Sequence, residues 1–139
     1  IKPKNTEYFK KKVVFLSKES EVILSTFPLP YFILKKWGWI KNKNIKFNFM
    51  YYSSFIPRIF LSFYNFYYKL FVRNKKENFF AIGLIGTGIF HNEPIYSNLS
   101  QMKRDKQFFK KIGLTNIVVF RVGAILERGK DWLDVALED

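Results

Sequence analysis

Three glycines, Gly83, Gly86 and Gly88, follow the apolar run at residues 79–82. Glycines behind a strand can cradle the pyrophosphate of a dinucleotide, because main-chain N–H groups then reach the phosphate with no side chain in the way. That chemistry needs the glycines to lead directly into a helix. Here IFHNE separates Gly88 from the next helical pattern, the spacing is G-x-x-G-x-G, and no acidic residue ends a following strand. The glycines read better as structural, allowing another backbone to approach closely. At Gly86 and Gly88 that opening could also admit a phosphate backbone to main-chain N–H groups. His91 is the only histidine and there is no cysteine, which excludes a two-His metal site, thiolate ligands and disulfides. Asp131 and Asp134 have the types for a general acid and base, although capping and solvation explain them more simply. No cofactor and no catalysis are expected.

The charged residues point elsewhere. The chain of 139 residues carries 24 Lys+Arg against 11 Asp+Glu, a net charge of +13. A domain this small with that surplus calls for a polyanionic partner. Residues 1–52 hold 11 lysines, opposed only by Glu7, Glu19 and Glu21, while the C-terminal end is mildly acidic. The candidate RNA contacts are Lys10, Lys11 and Lys12, Lys35 and Lys36, Lys41 and Lys43, Lys75 and Lys76, and Lys103, Arg104, Lys110 and Lys111. Lys46 extends the third of these clusters. Trp37 and Trp39 flank Gly38 between two lysine clusters and have the shape to stack on unpaired bases, with core packing the simpler role for at least one. Such a surface scaffolds RNA and performs no reaction.

The elements that must carry these residues are read as follows. KVVFLS (12–17) and EVILSTF (21–27) are predicted strands, and Pro28 and Pro30 then interrupt regular structure. IKFNFMYY (45–52) alternates as a strand does. RIFLSFYNFYYKLFV (58–72), rich in aromatic and β-branched residues, is predicted as a strand. With the polar turn RNKKEN and the apolar FFAIGLI (79–85) it makes a β-hairpin. Ile95, Leu99, Met102, Phe109 and Ile112 share a helical face between Pro94, at a first helical position, and Gly113, a left-handed stop. NIVVFRV (116–122) is a strand and DWLDVALED a terminal helix with Asp131 near its cap. The expected fold is α/β (α+β): a mixed sheet of ribonuclease H-like topology with a hairpin, a βαβ unit and a C-terminal helix. Residues 1–52 form a basic aromatic extension and residues 53–139 the α/β domain. No apolar run reaches the roughly 18–20 residues of a membrane span. The nearest is broken by Pro57, Arg58 and Lys69.

Residues 53–137 resemble the eleventh protein of the small ribosomal subunit in the universal numbering. The resemblance rests on Ser54-Phe55 with an expected strand from Ile59, on Gly83 and Gly86, Pro94 and Tyr96, Gly113-Leu114, NIVVFRV, Gly123 and Arg128. Residues 123–128 read GAILER where that family has a Gly/Pro-rich turn. The resemblance implies a structural role on the platform of the small subunit near the messenger RNA exit, with rRNA, neighbouring ribosomal proteins and messenger RNA as contacts. It adds Arg128 to the candidate RNA-binding residues. Abundant Phe, Lys, Asn, Ile and Tyr, the residues of AT-rich codons, point to an organelle-encoded protein of the mitochondrial matrix. The rival expectation is a non-catalytic accessory subunit of a respiratory or ATP-synthase complex, whose lysines would face lipid head groups or acidic subunits.

Overall fold

The structure, a computed structural model, describes residues 5–87, 92–120 and 122–138. Helix α1 (Thr6–Glu19) precedes strand β1 (Val22–Thr26), α2 (Tyr31–Lys36) and β2 (Ile45–Tyr51). A 3-10 turn (Ser53–Phe55) leads into α3 (Arg58–Val72), then come β3 (Phe79–Leu84), α4 (Leu99–Lys111), β4 (Ile117–Phe120), α5 (Val122–Arg128) and α6 (Lys130–Leu137). The strands form one sheet in the order β1-β2-β3-β4, and every pair is parallel. The register sets Val22 opposite Ile45, Asn48 opposite Phe79 and Phe80 opposite Ile117. The α/β class and the β3–α4–β4 unit are therefore present. One sheet also crosses the 52/53 position, since β2 pairs with β3.

Two expected strands are helices. Residues 12–17 lie within α1, whose buried Thr6, Val13 and Ser17 recur at helical spacing once the flanking lysines are included in the window. Residues 58–72 form α3. Strand propensity there yields to packing: Tyr64, Tyr68 and Phe71 recur at helical spacing and their rings lie against Tyr51 and Phe49. The hairpin is consequently absent, and the sheet is parallel rather than mixed. The ribonuclease H-like topology, which needs that hairpin, is not found. Ser54 and Phe55 lie in the 3-10 turn and Ile59 lies in α3, not in a strand. The segment GAILER is helical in α5.

Strand alternation explains how the helices dock. Ile45, Phe47, Phe49 and Tyr51 of β2 point to one face and are buried. Fully buried Tyr51 sits 4.8 Å from the Tyr68 ring, 5.2 Å from Tyr64 and Phe109, and 5.5 Å from Phe108. Helices α3 and α4 thus cover the same face, as expected when successive crossovers step in one direction with one handedness. The Tyr68 hydroxyl donates to the Phe49 carbonyl at 3.1 Å, which satisfies the buried phenol. The opposite face carries Lys46, Asn48 and Met50 of β2 and leaves Ile23 and Phe120 of the outer strands exposed.

Helix ends follow local chemistry. Asn98 caps α4, its side chain accepting the Gln101 N–H at 3.2 Å. Helix α4 therefore starts after Pro94, which lies in the irregular segment before it. Gly113 ends it with φ of +74°, the left-handed conformation expected there. Asp131 sits in the first turn of α6, favourable to the helix dipole, while the cap position belongs to Gly129. No helix among the described residues is long and apolar enough to cross a membrane.

Candidate nucleic-acid interface

A cleft of about 520 Å³ opens at the amino end of β2, with Lys41, Lys43, Lys46 and Lys75 in its lining. Lys41 and Lys43 come from the loop entering β2, Lys46 from its second residue, and Lys75 from the turn joining α3 to β3. Asn42, Asn74 and Asn78 add amide groups, and Phe47, Phe49 and Phe71 line the apolar part. Among the described residues, Glu77 is the only acidic one in the lining.

The cleft is held in shape by Asn78. Its Oδ1 accepts the Phe47 N–H at 2.9 Å and its Nδ2 donates to the Lys75 carbonyl at 3.1 Å. Asn116 Nδ2 donates to the Asn78 carbonyl at 3.2 Å, tying the turn to the start of β4. The lysines ride on aromatic surface. Lys41 Nζ lies 4.6 Å from the centroid of the Tyr31 ring, and Lys75 Nζ lies 4.1 Å from that of Phe71 while donating to the Phe71 carbonyl. Lys46 pairs with Glu21 at 2.8 Å. Burial pushes the Lys75 ammonium below the usual lysine value, and the charge of Lys41 adds to the effect against a smaller opposing pull from Glu77. Crowded ammonium groups of this kind gain from an anion placed between them.

The other candidates lie on separate elements. Lys11 and Lys12 are exposed on α1, with Lys12 5.8 Å from the Tyr8 ring centroid, and Lys10 pairs with Glu7 at 3.1 Å. Lys35 and Lys36 end α2 and are exposed. Trp37 is 40 % exposed, whereas Trp39 is wedged between Phe9 and Phe47, at 5.7 and 6.1 Å. Lys76 abuts Gly113 at the end of α4. Lys103, Lys110 and Lys111 are exposed on α4. Arg104 is turned inward to Asp105, and the Arg128 guanidinium lies 4.3 Å over the Trp132 ring. Asp131 and Asp134 are both exposed on α6. Gly88 and His91 lie outside the described residues.

The remaining glycines have steric roles. A methyl on Gly83 would lie 2.3 Å from Tyr96 Cζ, and one on Gly86 would lie 2.3 Å from Ala124 Cβ. Gly86 therefore makes room for α5. Tyr96 is fully buried and its hydroxyl donates to Asp105 Oδ2 at 2.7 Å. Ser53 Oγ donates to the same oxygen, and Arg104 donates to Oδ1 through Nε and Nη2, both at 3.1 Å. Burial raises the Asp105 pKa, and these donors oppose the rise.

Sequence reasoning missed this network, since nothing in the spacing of Ser53, Tyr96 and Asp105 joins them. It missed a second feature as well. Ile59, Phe63, Phe66 and Leu70 form an exposed seam along α3 at four-three-four spacing, opposite the buried Tyr64–Tyr68 side, with Ile59 82 % and Phe63 75 % exposed. A contiguous apolar surface of this kind marks an interaction site. Comparisons with protein-family models, curated proteins and solved structures return no match to this chain.

Proposed function

We propose that this chain is an RNA-binding structural constituent of a ribonucleoprotein, and that the particle is the small ribosomal subunit of an organelle, the mitochondrion. The observation that carries the reading is the lysine cleft, where Lys41, Lys43, Lys46 and Lys75 converge with three asparagines around one acidic residue. Flexible ammonium groups on a rigid turn suit phosphate oxygens, which position a protein on RNA without specifying sequence. Lys11, Lys12, Lys35 and Lys36 extend the basic surface over α1 and α2. The α3 seam supplies a surface for a neighbouring protein of the particle. Helix α3 carries Arg58 and Lys69 and no acidic residue, and Arg73 follows it. A second copy laid antiparallel would oppose like charges, so the matching surface is an apolar one with acidic flanks. The sequence resemblance directs this reading to the platform of the subunit, with rRNA as the principal contact.

The test is RNA binding as a function of salt. Replacing Lys41, Lys43 and Lys75 by Gln removes three phosphate contacts. It should make the log–log salt slope on single-stranded RNA shallower by about 2, at roughly 0.7 per contact. An unchanged slope in the folded triple variant overturns the assignment of the cleft.

A further inference from the structure

The other end of β2 bears a second pocket of different chemistry. It holds about 290 Å³ and is lined by Ser53 and Ser54, by Arg58 at the start of α3, by Ser97 just before α4 and by Arg104 in its second turn. No acidic side chain among the described residues lines it. The pocket follows the carboxyl end of β2, the position where parallel sheets place their ligands. The length of β2, about 20 Å at 3.3 Å per residue, separates it from the lysine cleft.

Three features give the pocket its selectivity. Arg104 is fixed by its two bonds to the buried Asp105 carboxylate, and its Nη2 also lies 3.4 Å from Ser53 Oγ. One guanidinium edge is thereby committed to holding the group in place. Ser54 Oγ is buried and has no hydrogen-bond partner, an arrangement a protein seldom leaves without a ligand or water to satisfy it. Helix α3 starts beside the pocket, since Pro57, Arg58 and Leu61 line it; Pro57 offers no side-chain cap, and of the first-turn N–H groups that of Phe60 is taken by the Pro57 carbonyl at 2.9 Å. Helix α4, in contrast, is closed by Asn98 and by Gln101 Oε1, which accepts the Ser97 N–H at 2.9 Å.

From this geometry we infer that the pocket formed by Ser54, Arg58 and Arg104 binds a phosphate group. The space of about 290 Å³ exceeds one tetrahedral anion and leaves room for the group esterified to it. Arg58, exposed at the mouth, supplies the charge that Asp105 does not offset. Ser54 supplies a neutral donor. The site is independent of the RNA reading of the lysine cleft, and either can fail alone.

The experiment follows inorganic phosphate binding to the full chain by the amide resonances of Ser54 and Arg58. The parent protein should show saturable shifts at both. Arg58→Gln should weaken binding at least tenfold, and Ser54→Ala about threefold, as expected for a charge-assisted and a neutral hydrogen bond. The Lys41→Gln, Lys43→Gln, Lys75→Gln variant should bind phosphate at these residues as the parent does. Two further probes distinguish the source of the phosphate. If an RNA oligonucleotide without terminal phosphates displaces inorganic phosphate, the pocket takes a backbone phosphate. If only glycerol phosphate displaces it, the pocket takes a free phosphomonoester. Binding that persists within twofold in Arg58→Gln, or no shift at Ser54, overturns the inference.

Discussion

Replacing Gly83 by Ala tests whether the glycines of β3 exist for packing. The added methyl would lie 2.3 Å from Cζ, 2.5 Å from Oη and 2.8 Å from Cε1 of Tyr96. Tyr96 cannot swing away freely, because it is fully buried, its N–H donates to the Leu84 carbonyl at 2.8 Å and its hydroxyl donates to Asp105. Overpacking of this kind costs about 1–3 kcal/mol. Breaking a hydrogen bond to a buried carboxylate adds about 1.5–3 kcal/mol. Together these come to about 2.5–6 kcal/mol, above the ~0.4–1 kcal/mol that a Gly→Ala change gains by restricting the unfolded chain. Urea unfolding of the single variants and the double variant measures it. In a Tyr96→Leu background the clashing atoms are gone, so Gly83→Ala should be about 2 kcal/mol less destabilising there, a coupling typical of residues in direct contact. Equal losses in both backgrounds, or a loss below about 0.5 kcal/mol in the parent, would refute the packing role.

Further outcomes follow from the same contacts. Burial raises the Asp105 pKa above 3.8, so the folded carboxyl holds its proton more tightly than the unfolded one. Stability from this group is present in full below 3.8 and is lost as pH rises through the folded value. Asp105→Asn should remove that downward component from the stability–pH curve; an identical pH dependence in both proteins would contradict it. Lys75, depressed by burial and by Lys41, should lose its proton at a pH below the ordinary lysine value, and amine labelling of this residue across a pH series reads this directly. Phe63→Ser with Phe66→Ser should leave the unfolding free energy within about 1 kcal/mol, as for exposed positions, while reducing incorporation into the native particle. Full incorporation would remove the seam from the proposed interfaces.

Some of this architecture was legible in the sequence and some was not. The strands at 21–27, 45–52 and 116–122 declared themselves by alternation or by β-branched runs between breakers, and Gly113 marked a helix end by its type and place. Helix α3 hid because both of its sides are apolar: Tyr64, Tyr68 and Phe71 face the sheet while Ile59, Phe63, Phe66 and Leu70 face outward. Its polar residues, Arg58, Ser62, Asn65 and Lys69, do recur at helical spacing, but they form a narrow stripe between the two apolar sides, and aromatic content read by itself favours a strand. Misplacing α3 created the hairpin and with it the mixed sheet. At the candidate interface, the lysines at 41, 43 and 75 were singled out by local clustering alone. Their convergence depends on the α3–β3 turn lying beside the loop into β2, which only the parallel β2–β3 pairing brings about. The Ser53–Tyr96–Asp105 network spans more than fifty residues and leaves no local signature.

The most direct measurement is crosslinking in the native particle. Ultraviolet crosslinking followed by mass spectrometry should join residues 41–46 and 74–78 to small-subunit rRNA. A particle that contains no nucleic acid, or one in which these residues crosslink only to protein, would contradict the account.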